Sequence, residues 1–337
     1  VRRVELVLAS GSVVEFADRE RALGQVEEFA EEGTRWPIVV FGPEGCGKTA
    51  FLRQAASALR ELGYDVFYLH PLDRAFSADV DDPDVKALFL DLVRRTLEDG
   101  RWRRLAMAIF DLTREVLRRR RRKVAVIADD VFQAIGLDKA AAYVKGLLNM
   151  IEHPQYKYEN MVVLVATSEG VSRREIGRHR WARLMPMWNM ARNGFLQLYE
   201  KIPGPKPPFE EAWRLAGGNP NTLVELYKAG WDVDEVAKRL IVSKGLSSFV
   251  RSLGREVREL LWRAVEGPDS LLSPEGVPLL ERLIDINVLI DSITYRDPPL
   301  WIDQPPPERD LELGIGKHAA WHTQLHREAV RRALQGM

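Results

Sequence analysis

Residues 42–49 read GPEGCGKT and fit the pattern G-x-x-x-x-G-K-[ST] without a mismatch. They lie between an unbroken apolar run, Trp36 to Phe41, and a stretch with helical periodicity, Thr49 to Leu62, that ends at Gly63. A strand, a glycine-rich turn and a helix in that order form a cradle for phosphate. Gly42, Gly45 and Gly47 let the backbone aim its N–H groups at a phosphate where side chains would block the approach, and Pro43, Glu44 and Cys46 complete the turn. The helix N-terminus, through Lys48, Thr49 and Ala50, adds positive potential. Lys48 is placed to bridge the outer phosphates of a triphosphate, and the Thr49 hydroxyl to ligate magnesium. A chance match is the competing reading; a random chain of this length shows the pattern roughly once in a hundred, and the flanking elements lower that further.

Working outward, residues 123–133 read KVAVIADDVFQ. Val124 to Ala128 is a buried strand, and Asp129 at its end is placed to hold the water shell of magnesium. Asp130 is placed to orient an attacking water. Aspartate is one methylene shorter than glutamate, so this base stands farther from that water and slow hydrolysis is expected. A further apolar run ends VVLVATSEG (162–170), and its Thr167 or Ser168 emerges beside the terminal phosphate if this strand lies between the other two.

The chain has 337 residues and is 46% hydrophobic, enough for two or three cores. Lys plus Arg (49) balances Asp plus Glu (49), so no global field draws it to nucleic acid or membrane. Cys46 is the only cysteine, which excludes an internal disulfide and a multi-thiolate zinc site and fits a cytoplasmic setting. No apolar run approaches the ~20 residues that span a bilayer, so no membrane association is expected.

Alternating residues from Val4 to Phe16 around Ser10-Gly11 predict a hairpin, and Asp18 is read as the N-cap of a following helix. Strands are expected over 65–69, 123–128, 161–167 and 183–187, and helices over 84–122 (broken near Gly100) and 137–151. The alternation predicts an α/β fold, a parallel sheet with helices on both faces. The run IPGPKPPF (202–209) marks a boundary. Beyond it, short helices over 209–244, a longer helix over 246–266, a helix over 274–284, a β-like stretch over 288–295 and a terminal helix from about His318 suggest a winged-helix module. The expected division is a core over 1–202, a helical lid over 203–245 and a winged-helix-like part over 246–337.

Taken together, FADRE (16–20), GPEGCGKT, ADDVFQ, TSEGVSRREIGRHRW (167–181), WNMARNGFLQLY (188–199) and LAGGNP (215–220) resemble the archaeal P-loop ATPases of the STAND and AAA+-related group. Those proteins combine a P-loop domain, a helical lid and a winged helix. The resemblance implies ATP or ADP with Mg2+ as cofactors and ATP hydrolysis as the activity. It also implies that Asp18 and Arg19 lie on the adenine side and that Asn219 and Pro220 belong to the closing lid. The bland readings are that Asp18 caps a helix and that Asn219-Pro220 starts one. The absence of an N-K-x-D guanine motif agrees with adenine. Arg178 and Arg180, in a guanidinium-rich segment after the fourth strand, are candidates to neutralise γ-phosphate charge, though a solvated basic face is an equal reading. His179 reads as structural. Two classes of action stay open, a motor that moves a bound partner and a switch that turns over slowly. DNA is a candidate partner through the winged helix, the basic run Arg118 to Lys123 or the terminal helix; the helix over 274–284 is acidic, which argues against deep major-groove reading. A protein partner or self-association is the other candidate.

Overall fold

The computed structural model describes residues 2–9, 12–99, 102–119, 122–167 and 170–336. The expectations on Ser10, Gly11, Gly100 and Ser168 lie outside the described residues. The chain forms two compact units: Val1–Val4, Glu20–Phe41 and Lys48–Met185 make the first, and Glu5–Arg19, Gly42–Gly47 and Pro186–Met337 make the second.

The chain begins, in the second unit, with the antiparallel pair β1 (Glu5–Ala9) and β2 (Ser12–Glu15). In the first unit follow α1 (Glu20–Glu32), β3 (Ile38–Phe41), α2 (Lys48–Glu61), β4 (Asp65–His70), β5 (Ala75–Asp79), α3 (Pro83–Asp99) and α4 (Trp102–Arg119). Next come β6 (Lys123–Asp129), α5 (Val131–Ile135), α6 (Ala140–Glu152), β7 (Asn160–Ala166), α7 (Gly170–Gly177) and β8 (Arg183–Pro186). The sheet order is β5-β4-β6-β7-β3-β8. Strands β4, β6, β7 and β3 run parallel to one another, as their continuous apolar runs require of strands covered on both faces. Val124, Val126, Val163 and Val165 join Phe89, Ile109 and Leu147 in one core, while the alternate residues Ala125, Ile127, Val162 and Leu164 are equally buried and α2 packs against β6 and β7. With side chains alternating across a strand, both faces are closed.

One strand of the six-stranded sheet is not legible in the sequence. The half-buried segment AFSAD forms β5, antiparallel to β4 at the sheet edge, so the sheet is mostly rather than wholly parallel. The topology does place β7 between β3 and β6, with Val40 opposite Ala166 and Ala166 opposite Asp129. The three strand ends therefore align, and this brings the candidate residues to one edge. The helix expected to be capped by Asp18 starts instead at Glu20, because Asp18 and Arg19 both take left-handed backbone conformations (φ 58° and 66°).

The second unit continues with α8 (Arg192–Glu200), α9 (Phe209–Ala216), α10 (Pro220–Lys228), α11 (Val233–Ser243), α12 (Leu246–Arg251) and α13 (Arg255–Glu266). It ends with α14 (Val277–Asp285), β9 (Leu289–Ile290), β10 (Ala320–Trp321) and α15 (Gln324–Gln335). The single helix expected over 246–266 is two: the first ends at Arg251, and Gly254, in an extended conformation (φ −65°, ψ 164°), is the N-cap of the second. The β-like stretch over 288–295 pairs only through Leu289 and Ile290, whose partners come from Ala320 and Trp321. The terminal helix starts later than expected, where the Thr323 side chain accepts from the His326 N–H. Trp301 and Trp321 are fully buried and donate to the carbonyls of Tyr295 and Ala264, so they pack the core of this unit.

His326, on the first turn of α15, is buried with its Nδ1 2.8 Å from Thr323 Oγ1. Burial, with Lys244 nearby, pulls its pKa down to about 4. The unfolded chain takes up this proton near pH 6.5, so the folded state holds fewer protons and the associated stability, present above that pH, is lost as pH falls toward 4. About 3 kcal/mol is expected to go over that window. Urea melts at pH 7 and pH 4.5 should show a His326→Gln variant losing clearly less than the parent; equal losses would refute the assignment.

Candidate nucleotide site

The glycine-rich turn is packed at close quarters within the second unit. A Cβ on Gly42 would lie 2.0 Å from the Met187 carbonyl, and one on Gly45 would lie 2.4 Å from Asn221 Cβ, with φ at +155° and +77° respectively. Only glycine meets both demands. Polar groups then fix the turn from several directions. Asn219 Nδ2 donates to the Glu44 carbonyl (2.9 Å) and to Asn189 Oδ1 (2.9 Å), and the Glu44 N–H donates to His322 Nδ1 (3.3 Å). Lys244 forms an ion pair with the Glu44 carboxylate. Arg19 donates to the carbonyls of Cys46 (2.7 Å) and Trp188 (3.0 Å) and pairs with Asp303 (2.8 Å).

Asn219 is fully buried and also caps α10, its Oδ1 accepting from the Thr222 N–H at 3.0 Å, with Pro220 at the first helical position. The cap reading and the contact with the phosphate turn therefore hold together in one side chain. Replacement by alanine removes the cap and takes the Asn219 donor from the Glu44 carbonyl and from Asn189 Oδ1; a loss of about 2–3 kcal/mol in urea melts is expected. A loss under about 0.5 kcal/mol would contradict it.

Across the peptide bond from Gly47, Lys48 and Thr49 open α2 in the first unit, and Lys48 is only 6% exposed. Asp129 ends β6 and is 1% exposed. Its Oδ2 accepts from the Tyr68 hydroxyl at 3.1 Å, and its Oδ1 is buried with no hydrogen-bond partner. Burial pushes this carboxyl up, opposed first by His70, with Asp130 pushing further up and the Thr49 and Tyr68 hydroxyls pulling down. Burial, with the Asp129 charge, raises the Tyr68 phenol too, so it stays a donor. A buried carboxylate with an unpartnered oxygen, beside a hydroxyl that opens a helix, is a donor set for a hard divalent cation, so the residues fit Mg2+.

Asp130 follows with φ 45° and donates its N–H to the Ala166 carbonyl at 3.2 Å. Thr167, at the end of β7, is 2% exposed and donates its N–H to the Val40 carbonyl at 3.0 Å. Asp129, Asp130 and Thr167 thus share the strand-end edge with Lys48 and Thr49. Sequence reasoning misses His70: it ends β4, beside β6, with Nδ1 3.6 Å from Asp129 Oδ2. A histidine closing a buried strand next to the acid strand is the available signal.

The arginine candidates lie on α7 and beyond. Arg178 is exposed and paired with Glu175 at 2.8 Å, and Arg180 is exposed. Arg173 stacks over the Phe41 ring, 5.3 Å from its centre, and His179 stacks on Trp181 at 3.8 Å, in line with a structural role. Among the described residues of the basic run, Arg118 pairs with Glu115, Arg119 with Asp82, Asp84 and Glu115, Arg122 with Asp81 and Asp65, and Lys123 with Glu159. On α15, Arg332 pairs with Asp234 and Glu328, and Arg327 donates to main-chain carbonyls. Among the described residues no helix is long and apolar enough to cross a membrane.

A family model described as an ATPase domain predominantly from Archaea matches residues 16–226. No curated protein matches the chain. Among solved structures, a Walker-type ATPase of Pyrococcus abyssi is similar at 15% identity, covering 94% of this chain and 96% of its own, with a TM-score of 0.50. An Orc1 protein of Aeropyrum pernix, solved in complex with DNA, is 13% identical over 95% of this chain and 93% of its own, with a TM-score of 0.42. DnaA from Aquifex aeolicus, bound to AMPPCP, is 18% identical over 76% of this chain and 73% of its own, with a TM-score of 0.36. At such identities the Pyrococcus likeness concerns the fold.

Proposed function

The chain belongs to the family of ATPase domains found predominantly in Archaea, and from that premise we propose that it is a slow ATP-driven switch whose nucleotide state is relayed from the phosphate turn to a lid over 203–245 and a winged-helix-like part over 246–337. The observation that carries the reading is the set of bonds on Glu44 and Cys46: Asn219 and Lys244 reach Glu44 from the lid segment, and His322 reaches Glu44 from the C-terminal part, where Asp303 holds the arginine on Cys46. A phosphate drawing the turn's amides toward itself works against or with these same bonds, which supplies the differential interaction any switch needs.

In this reading Lys48 binds the β- and γ-phosphates, and Gly42, Pro43, Glu44, Gly45, Cys46, Gly47 and Ala50 surround them. Thr49 and Asp129 hold Mg2+, which when bound neutralises charge on the phosphates. Asp130 orients water, and Thr167 lies by the γ-phosphate. The shorter carboxylate at Asp130 favours slow turnover, and hence the switch over a motor. Asp18 and Arg19 supply the adenine side through their backbone. Arg178 or Arg180 offers a γ-phosphate cation from this chain or a second copy. Because the described basic side chains of the run and of α15 are tied to carboxylates or carbonyls, a protein partner is placed ahead of DNA.

Hydrogen exchange with ATP, ADP and no nucleotide tests this directly. The amides of 219–228 and 320–335 are expected to change protection with nucleotide, with little sustained phosphate release. Unchanged exchange in both segments on saturation with ATP would sink the relay, and a low-salt mobility shift with single- or double-stranded DNA would put DNA first.

A further inference from the structure

Beside the candidate ion site, two buried polar atoms, on side chains that approach each other, lack hydrogen-bond partners. One is Asp129 Oδ1; the other is Nδ1 of His70, a residue 4% exposed. Nearly all buried polar atoms are paired, so two such atoms together need an explanation. His70 Nδ1 stands 3.6 Å from Asp129 Oδ2, too long for a hydrogen bond. It stands 3.2 Å from the half-exposed Asp73 carboxylate, without the geometry of a hydrogen bond. Donor atoms of His70, Asp129 and Asp130 all lie within 4.8 Å of one another. Donors that share one ion at about 2.1 Å stand roughly 3–4 Å apart, so the spacing suits a common cation with modest closure.

We propose that the imidazole of His70 is a direct ligand of the divalent ion held by Asp129, so that this site favours a transition-metal ion such as Mn2+ over Mg2+. The proposal rests on the nucleotide-site reading above and adds a nitrogen donor to it. Oxygen donors alone suit Mg2+, which takes rigid octahedral oxygen sets; an imidazole shifts preference toward ions later in the first transition row. The backbone explains why His70 is in place: it closes β4 one residue beyond Leu69, which pairs with Ala128, so its ring sits level with Asp129. Tyr68, two residues earlier on the same face of the strand, holds Asp129 Oδ2 and leaves Oδ1 open.

The test is pulsed electron paramagnetic resonance of Mn2+ bound to the full chain, with and without AMPPCP, using natural-abundance and 15N-histidine-labelled protein. Nitrogen modulation of the Mn2+ echo that changes with the label is expected, lost in His70→Asn and kept in His153→Asn. In parallel, titrations should show the Mn2+ Kd of His70→Asn rising about tenfold or more, with the Mg2+ Kd rising less than about threefold, which lowers the Mn2+/Mg2+ preference. If echo modulation from histidine nitrogen is absent in the parent protein, or survives in His70→Asn, the ligand assignment fails. Equal losses for Mn2+ and Mg2+ would likewise overturn it, since they mark a residue that only orients Asp129. The labelled parent protein decides the question even if the variant folds poorly. Binding of a fluorescent ATP analogue, followed in the same samples, separately judges the nucleotide reading; its failure with histidine modulation retained would leave a metal site without a nucleotide.

Discussion

Replacing Lys48 with alanine is expected to weaken ATP binding by about 100-fold or more and to bring phosphate release to background. Lys48 opens α2 and is only 6% exposed, so its charge acts where water screens poorly. At 4 Å and an effective dielectric of 20, one unit pair is worth about 4 kcal/mol. About two thirds of that already corresponds to about 100-fold in affinity. The turn's amides and the helix N-terminus stay in place in the variant, so residual weak binding of ADP is expected. Calorimetry with Mg-ATP and a coupled phosphate assay measure both effects. Undiminished affinity and turnover in Lys48→Ala would remove the basis of the nucleotide reading.

That prediction is available from sequence because its ingredients are local. A strand, a turn that only glycine can make and a helix follow one another in a dozen residues, and the apolar runs of β6 and β7 announce buried parallel strands without knowledge of their neighbours. The places where sequence reading fails are those where distant contacts decide. AFSAD has no strong strand signature, and it is β5 only because β4 offers it an edge. The helix expected over 246–266 breaks between Arg251 and Arg255 although the apolar period continues on both sides. Asp18 and Arg19 look like a helix start but are bent into left-handed conformations, and a Cβ on Gly194 would meet the Asp18 carboxylate at 1.9 Å. His70 and His322 are single histidines with no motif around them. Their relevance appears only when β4 is laid beside β6, and when the 314–322 loop is brought to Glu44 by pairing of β9 with β10.

Arg19 carries the second large effect. Its guanidinium is shut away from water with Asp303, at side-chain exposures of 3% and 4%, and its second nitrogen holds the carbonyls of Cys46 and Trp188. Removing one member of a buried ion pair leaves the other charge uncompensated and costs about 3–5 kcal/mol. Arg19→Ala is expected to exceed Asp303→Ala, because it also strips two buried carbonyls of their donor. The double replacement Arg19→Met with Asp303→Leu should cost well below the sum of the single losses, since no buried charge remains. Urea melts of the four proteins supply the cycle, and a coupling energy under about 0.5 kcal/mol would show that the two residues act independently. The functional consequence separates this residue from Lys48. With Cys46 released, the phosphate turn loses one anchor but keeps its amides and its lysine, so ATP affinity in Arg19→Ala should fall about tenfold under conditions where the protein is still folded. A fall as deep as that in Lys48→Ala would mean that Arg19 meets the nucleotide itself.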